Sequence, residues 1–343
     1  MAVWLIRAGA NGEYEQKFLQ EKRVYLTWEG FDHDISKFAT QADLLEALKN
    51  VYSNDKINRL RNHASQIFPF AHEIKVGDLV VLPLKTQRVI CIGEVKSGYH
   101  FDASNPDPYY HWRDVQWLNE SIPRANFGQD LLYSFGAFMA ICRIQRNNAE
   151  ARLNAMRANQ WKPETLVGTI EPLIPDDNGD SSLTNLDELA RDQLARLIEA
   201  RFRGHGLTRL VDAILRASGY TTYVSPEGAD GGVDILAGSG LLGFEAPRLC
   251  VEVKSSSTPI GRPDVDKLIG AVRKFGAQHG LFVSWSGFKS NVQKELAGSF
   301  FDVRLWSQND LLEQLFAVYD KLDETIKADL PLKRVWMVAA QDD

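Results

Sequence analysis

Three residues in the C-terminal half have the types and spacing for metal-assisted chemistry at a phosphate. Asp234 closes a glycine-rich turn, GADGGVD, and eighteen residues later comes Glu252-Val253-Lys254. On a β-strand, residues two apart point to the same face, so Glu252 and Lys254 stand together while Val251 and Val253 turn to the core. If the flanking segments form a hairpin, Asp234 lies beside Glu252. Two carboxylates with a lysine alongside suit a hard divalent cation such as Mg²⁺, with Mn²⁺ as a substitute. Such an ion stabilises charge developing on a phosphate and lowers the pKa of a bound water. The lysine orients that water or neutralises the transition state.

An E-x-K on a strand is ordinarily a surface ion pair, and the chain supplies its own control. Glu94-Val95-Lys96 also ends a strand-like run, with Asp78 sixteen residues upstream. Spacing alone does not choose between the two copies; context does. Asp78 sits in a polar turn, VGDLV, that reads as the entry to a strand. Asp234 is cradled by Gly228, Gly231 and Gly232, which let a bulky ligand approach closely. Only the second copy is preceded by a helix and a strand and followed by a helix and a strand.

The elements that must position these residues follow from periodicity. After a C-terminal helix pattern at Leu186–Phe202, the amphipathic run Leu207–Ser218 predicts a second helix that stops at Gly219. Strands are expected at Tyr220–Val224, Asp234–Leu236, Leu249–Lys254, Gly280–Trp285 and Val303–Trp306. Helices are expected at Asp264–Phe275, Gln293–Ala297 and Asn309–Lys321. The order α-β-β-β-α-β-α-β-α predicts an α/β fold with a mixed sheet. In the N-terminal half, Val3–Ile6, Val24–Trp28, Leu79–Leu84, Val89–Val95 and His111–Leu118 read as strands, and Thr40–Lys56 as a helix. Short strands with few helices suggest a small barrel-like β domain. Residues 146–163 read as helical. The tract IPDDNGDSS at 174–182 is the clearest linker signal, and the boundary is expected there. The organisation expected is a domain over 1–145, a connector over 146–185, a second domain over 186–320 and a tail over 321–343.

The run LTRLVDAILRASGYTTYVSPEGADGGVDI, then CVEVKSSSTPIGRPDVDKLIGAV, then HGLFVSWSGFKSNVQKEL, resembles the Mrr family of restriction endonucleases, within the PD-(D/E)xK nuclease superfamily. Four features match in order: the helix before Gly-Tyr, the DGGVDI turn, the E-V-K strand with its following helix, and the GLFVSWSGF strand and turn. The resemblance implies a restriction-endonuclease-like α/β/α domain and metal-dependent hydrolysis of phosphodiester bonds in DNA. It assigns Asp234, Glu252 and Lys254 as catalytic, with Asp234 and Glu252 as metal ligands. Family members commonly carry a Phe-Glu pair early in the helix before Gly-Tyr, where Leu207 and Thr208 stand here. Asp212 is the candidate substitute for the missing acid, and His205 could approach the site from the helix N-terminus; a capping or loop role for His205 is the plainer reading.

In the N-terminal half, VWLIRAG, VYLTWEGF, IKVGDLVVLP, VICIGEVKSGYHFD and YYHWRDVQWL resemble the EVE-like branch of the PUA superfamily, small β-barrels that often read modified bases or nucleotides. A flipped base is held by stacking on aromatic rings and by polar contacts to its edge. The resemblance implies Trp28, Tyr99, Phe101, Tyr110, His111 and Trp112 as pocket candidates, with Arg7 and Arg113 for phosphate. For any one of these aromatics, filling a small core is the plainer reading.

Composition sets the outer limits. The 343 residues are 44% hydrophobic and 24% charged, an ordinary globular balance. No run approaches the roughly 20 apolar residues that span a bilayer, and the first residues lack the pattern of a signal peptide. Cys91, Cys142 and Cys250 are too scattered for a disulfide framework or a CxxC metal pair, so a cytoplasmic setting is expected. The net charge of −6 argues against a protein that coats nucleic acid non-specifically. Three functions remain. The first is a modification-dependent endonuclease acting on double-stranded DNA, as a homodimer or higher assembly because one site cuts one strand. The second is a defence nuclease whose N-terminal domain senses a nucleotide ligand. The third is a DNA-binding protein without catalysis, against which the complete Asp234, Glu252 and Lys254 set argues.

Overall fold

The computed structural model describes residues 1–137, 139–164, 186–226, 232–256, 258–289, 292 and 296–335. The chain forms two compact units, one running to Leu189 and the other beginning at Ala190. The linker expected at 174–182 lies outside the described residues, as does most of the helix expected at 293–297. Among the described residues no helix is long and apolar enough to cross a membrane.

The first unit is built on β1 (Val3–Ile6), β2 (Arg23–Leu26), β3 (Leu79–Pro83), β4 (Val89–Val95), β5 (His100–Phe101), β6 (His111–Pro123) and β7 (Ile141–Arg143). They form one mixed sheet in the order β2-β6-β4-β3-β1-β7, with β5 on β6. Only β1 and β3 run parallel. The long β6 serves two neighbours: His111–Asp114 pairs with β2, and Val115–Pro123 pairs with β4. The sheet does not close on itself among the described residues, since β2 and β7 lie at opposite ends of its order.

Strand alternation feeds two cores. Trp4, Ile6, Val80 and Leu82 face α1 (Glu15–Glu21), α2 (Gln41–Val51) and α3 (Ile57–His72). Val3, Leu5, Leu79, Val81, Ile90 and Ile92 face α4 (Gln129–Phe135) and α5 (Ala149–Ala158). Burial on both faces explains why the central strands read as unbroken apolar runs. Helix α2 starts where the sequence said it would, because Thr40 and Asp43 form a reciprocal capping box. Helix α3 was not expected; Pro69 lies inside it.

The second unit opens with α6 (Leu186–Arg201), whose first turn belongs to the first unit, and α7 (His205–Ala217), which ends at Gly219 with φ 96°. Then come β8 (Thr221–Val224), β9 (Ile235–Ser239), β10 (Glu245–Lys254), α8 (Arg262–Phe275), β11 (His279–Ser284), β12 (Val303–Trp306), α9 (Gln308–Val318) and α10 (Glu324–Asp329). The five strands lie in the order β12-β11-β10-β9-β8. β10, β11 and β12 are parallel, and β8, β9 and β10 antiparallel, which is the mixed sheet expected. Helices α6, α7, α9 and α10 share a core with one face of the sheet, and α8 covers the other. The segment expected as a tail continues the fold at its start: Ile326 and Leu330, in and just after α10, are buried in the first of these cores.

Connectivity brings several chain ends to one edge of this sheet. β8 and β10 end there, β9 begins there, and β11 ends there.

Candidate active site

The β9–β10 ladder ends at the pair Ile235 and Val251, so Asp234 and Glu252 are the next residues beyond it. The Asp234 amide donates to the Val251 carbonyl at 2.9 Å, and the Asp234 carbonyl accepts from the Ser225 amide at 2.8 Å. The Ser225 hydroxyl donates to the Val233 carbonyl at 2.6 Å. Asp234 is thereby fixed from both sides. Past Val251 the β9 ladder stops, and the Asp234 carboxylate replaces a strand partner: its Oδ2 accepts the Val253 amide at 2.6 Å. Ser225 went unnoticed in the sequence, where a lone serine after a strand carries no signal.

Glu252 and Lys254 share a face with Cys250, whose thiol points at the Ala271 carbonyl of α8. The Lys254 ammonium lies 2.5 Å from Glu252 Oε1. The Glu252 side chain is 16% exposed and that of Lys254 42%, so the carboxylate is sheltered while the ammonium reaches solvent.

The control copy is wired differently. The Asp78 carboxylate accepts from the Ala2 amide at 2.7 Å, the Trp4 indole at 3.1 Å and the Lys75 amide at 3.0 Å. It stands opposite Val95, one residue out of register with Glu94. Glu94 pairs with Lys96 and Arg157. Three donors on Asp78 make it a structural knot.

Among the described residues no group of three or more His, Cys, Asp or Glu side chains is placed to hold a metal ion. Asp234 and Glu252 are two hard oxygen donors on facing strands. Mg²⁺ commonly binds through one or two carboxylates plus waters and substrate phosphate oxygens, so this donor set fits it.

The accessory residues lie apart from one another. His205 opens α7 and is exposed. Asp212 sits further along α7, on the side of the sheet away from α8. Its Oδ2 accepts from Arg216 at 3.0 Å, and Arg216 also reaches Asp323 at 3.3 Å. Asp212 Oδ1 is buried without a hydrogen-bond partner among the described residues. This wiring ties Asp212 to Arg216 on its own helix.

In the first unit the pocket candidates separate into two sets. His111 is fully buried, between the Tyr99 hydroxyl at 2.7 Å and the Phe31 carbonyl at 2.8 Å, and stacks on Phe101 and Tyr99. Burial lowers its pKa to about 4. Arg113 is buried and donates to the carbonyls of Phe70, Ala71 and Ser97, so its guanidinium knits backbone and is not presented to a phosphate. Arg7 is likewise turned inward, onto the carbonyls of Phe135 and Ala137. Both correct the expectation of phosphate contact: the sequence shows a basic residue but not which way it points. Trp28, Tyr110 and Trp112 are half-exposed; Trp112 stacks on His100 at 5.3 Å.

Residues 199–315 match the Mrr_cat family, described as a restriction endonuclease, and this segment holds Asp234, Glu252 and Lys254. The second unit is thus a restriction endonuclease domain of the Mrr type. Residues 4–130 match a domain of unknown function, DUF8426. The chain is similar to the solved structure of the DNA modification-dependent restriction endonuclease AspBHI, at 15% identity over 74% of this chain and 67% of that one, with a TM-score of 0.33. It is also similar to the MspJI restriction endonuclease in complex with a 27-mer oligonucleotide, at 15% identity over 96% of this chain and 80% of that one, with a TM-score of 0.32. No curated protein matches the chain.

Proposed function

We propose that the chain is a divalent-metal-dependent endodeoxyribonuclease, and that its first unit, EVE/PUA-like in role, selects duplex DNA by reading a modified base. One observation carries the catalytic part: the Asp234 carboxylate accepts the amide of Val253, the residue between Glu252 and Lys254, inside the segment that matches a restriction endonuclease. Asp234 and Glu252 would hold Mg²⁺, or Mn²⁺ in its place. When bound, the ion supplies a water of lowered pKa and offsets charge at the phosphate.

The chain's own groups do the rest. Val253 donates to one oxygen of Asp234 and so holds that carboxylate in a single orientation. Glu252 keeps the Lys254 ammonium over the same face. There Lys254 orients the attacking water and meets the negative charge growing on a non-bridging phosphate oxygen. One such site cuts one strand, so a double-strand break calls for a second copy of the chain. The reader role is supported by a separate N-terminal unit with half-exposed Trp28, Tyr110 and Trp112, rings on which a base can stack.

The test is a digest of phage DNAs carrying different modified cytosines and adenines, beside unmodified DNA, with Mg²⁺, Mn²⁺ or EDTA. Cleavage confined to a modified DNA and abolished by EDTA is expected. Equal cutting of all DNAs would leave the nuclease and remove the reader. Cleavage that required an added nucleotide would move the reading to a ligand-sensing nuclease.

A further inference from the structure

Beyond Val251, the strand that carries Glu252 and Lys254 has lost its β9 neighbour. On that side the Asp234 carboxylate accepts the Val253 amide, and on the other β11 pairs with the strand, with Ser284 beside Lys254. The final tie on the β11 side comes from the next residue: the Trp285 amide donates to the Lys254 carbonyl at 2.9 Å. Trp285 is in turn fixed by its side chain. Its indole N–H donates to Glu199 Oε1, in the last turn of α6, at 2.7 Å, and its ring packs on the core beneath α6 and α7. The Glu199 backbone carbonyl accepts from Arg203 at 3.1 Å, which steadies the end of that helix. A carboxylate on one helix therefore reaches the backbone of Lys254 through a single indole.

We infer that Glu199 and Trp285 are a positioning pair for Lys254, resting on the nuclease reading above. Neither touches the reacting atoms. Trp285 sets the end of β10 from the side of the sheet away from Glu252, and Glu199 sets Trp285. Without Glu199 the indole loses its acceptor, the turn after β11 gains freedom, and Lys254 loses its alignment while substrate binding elsewhere is untouched. Small misplacements of a positioned group cost rate far more than binding.

The experiment uses the full-length chain as wild type, Glu199→Ala, Glu199→Gln and Trp285→Phe, read in two ways. Amide hydrogen exchange over residues 252–256 should quicken in Glu199→Ala and Trp285→Phe, remain unchanged in α8, and return to the wild-type rate in Glu199→Gln, whose amide oxygen still accepts. Cleavage of the preferred DNA should show kcat lowered on the order of 10-fold in the first two variants, KM unchanged, and recovery in Glu199→Gln. Unaltered exchange over 252–256 would overturn the proposal. So would quickened exchange throughout the second unit, or kcat and KM changing together, which mark a merely structural contact. If the wild type cuts no DNA, the nuclease reading falls while the exchange data still decide whether Glu199 governs the end of β10.

Discussion

At the scale of single residues, burial and hydrogen bonding show which polar groups hold the fold. Asp234, Glu252 and Lys254 stand out in the sequence because metal-assisted chemistry calls for their types and a strand for their spacing. His111, read as a pocket candidate or a core filler, proves to be a core residue. The Phe31 carbonyl can only accept, so Nε2 carries the proton and Nδ1 accepts from the Tyr99 hydroxyl. Desolvation holds the folded-state pKa at about 4, below the ordinary 6.5. The unfolded chain therefore binds a proton between these values that the folded chain refuses. The associated stability is fully present above pH 6.5 and is lost as pH falls toward 4. Urea unfolding of the full chain should show the first unit losing on the order of 2 kcal/mol between pH 6.5 and 5 from this group. His111→Gln, which does not titrate, should flatten that slope; an unchanged slope would contradict the assignment.

At the scale of elements, most of the second unit was readable because its apolar periods are clean. Leu207, Leu210, Val211 and Ile214 mark α7, and Gly219 ends it in the left-handed region. Helix α3 escaped for two physical reasons. Pro69 mimics a stop signal, and the buried Gln66 interrupts an apolar stripe of Leu60, Ala64, Ile67 and Phe70. Gln66 is there to bind backbone: its Oε1 accepts from the amides of Ala140 at 2.7 Å and Ile141 at 3.3 Å, at the start of β7. Gln66→Leu should leave both donors unmet and cost about 1–3 kcal/mol in urea unfolding. No measurable loss would mean that shape and not hydrogen bonding sets the requirement.

At the scale of the whole molecule, polar composition marks a break in the chain but not where a folded unit ends. The tract at 174–182 is the sequence signal for a boundary, and by contacts the first unit runs to Leu189. The reason is Glu188: buried, it lies 3.0 Å from Arg124, 3.6 Å from Lys85 and 3.8 Å from Arg7. Burial alone would raise its pKa, but these cations, with Arg88, hold it below the ordinary value. Removing one partner of a buried charge cluster commonly costs 3–5 kcal/mol, so a fragment ending at residue 189 should unfold at higher urea than one ending at 174, by about that amount. Coincident unfolding curves would remove Glu188 from the account. The central claim is tested most directly by cleavage of one susceptible DNA with Mg²⁺, comparing wild type with Asp234→Asn and Lys254→Ala, and with Glu94→Ala and Lys96→Ala as controls. Losing a group that holds the metal or meets transition-state charge should lower kcat on the order of 10³-fold or more in the first two, with the fold intact, while the controls cut as wild type does. Full activity in Asp234→Asn, or loss of activity in the Glu94 and Lys96 variants with their fold intact, would contradict the account.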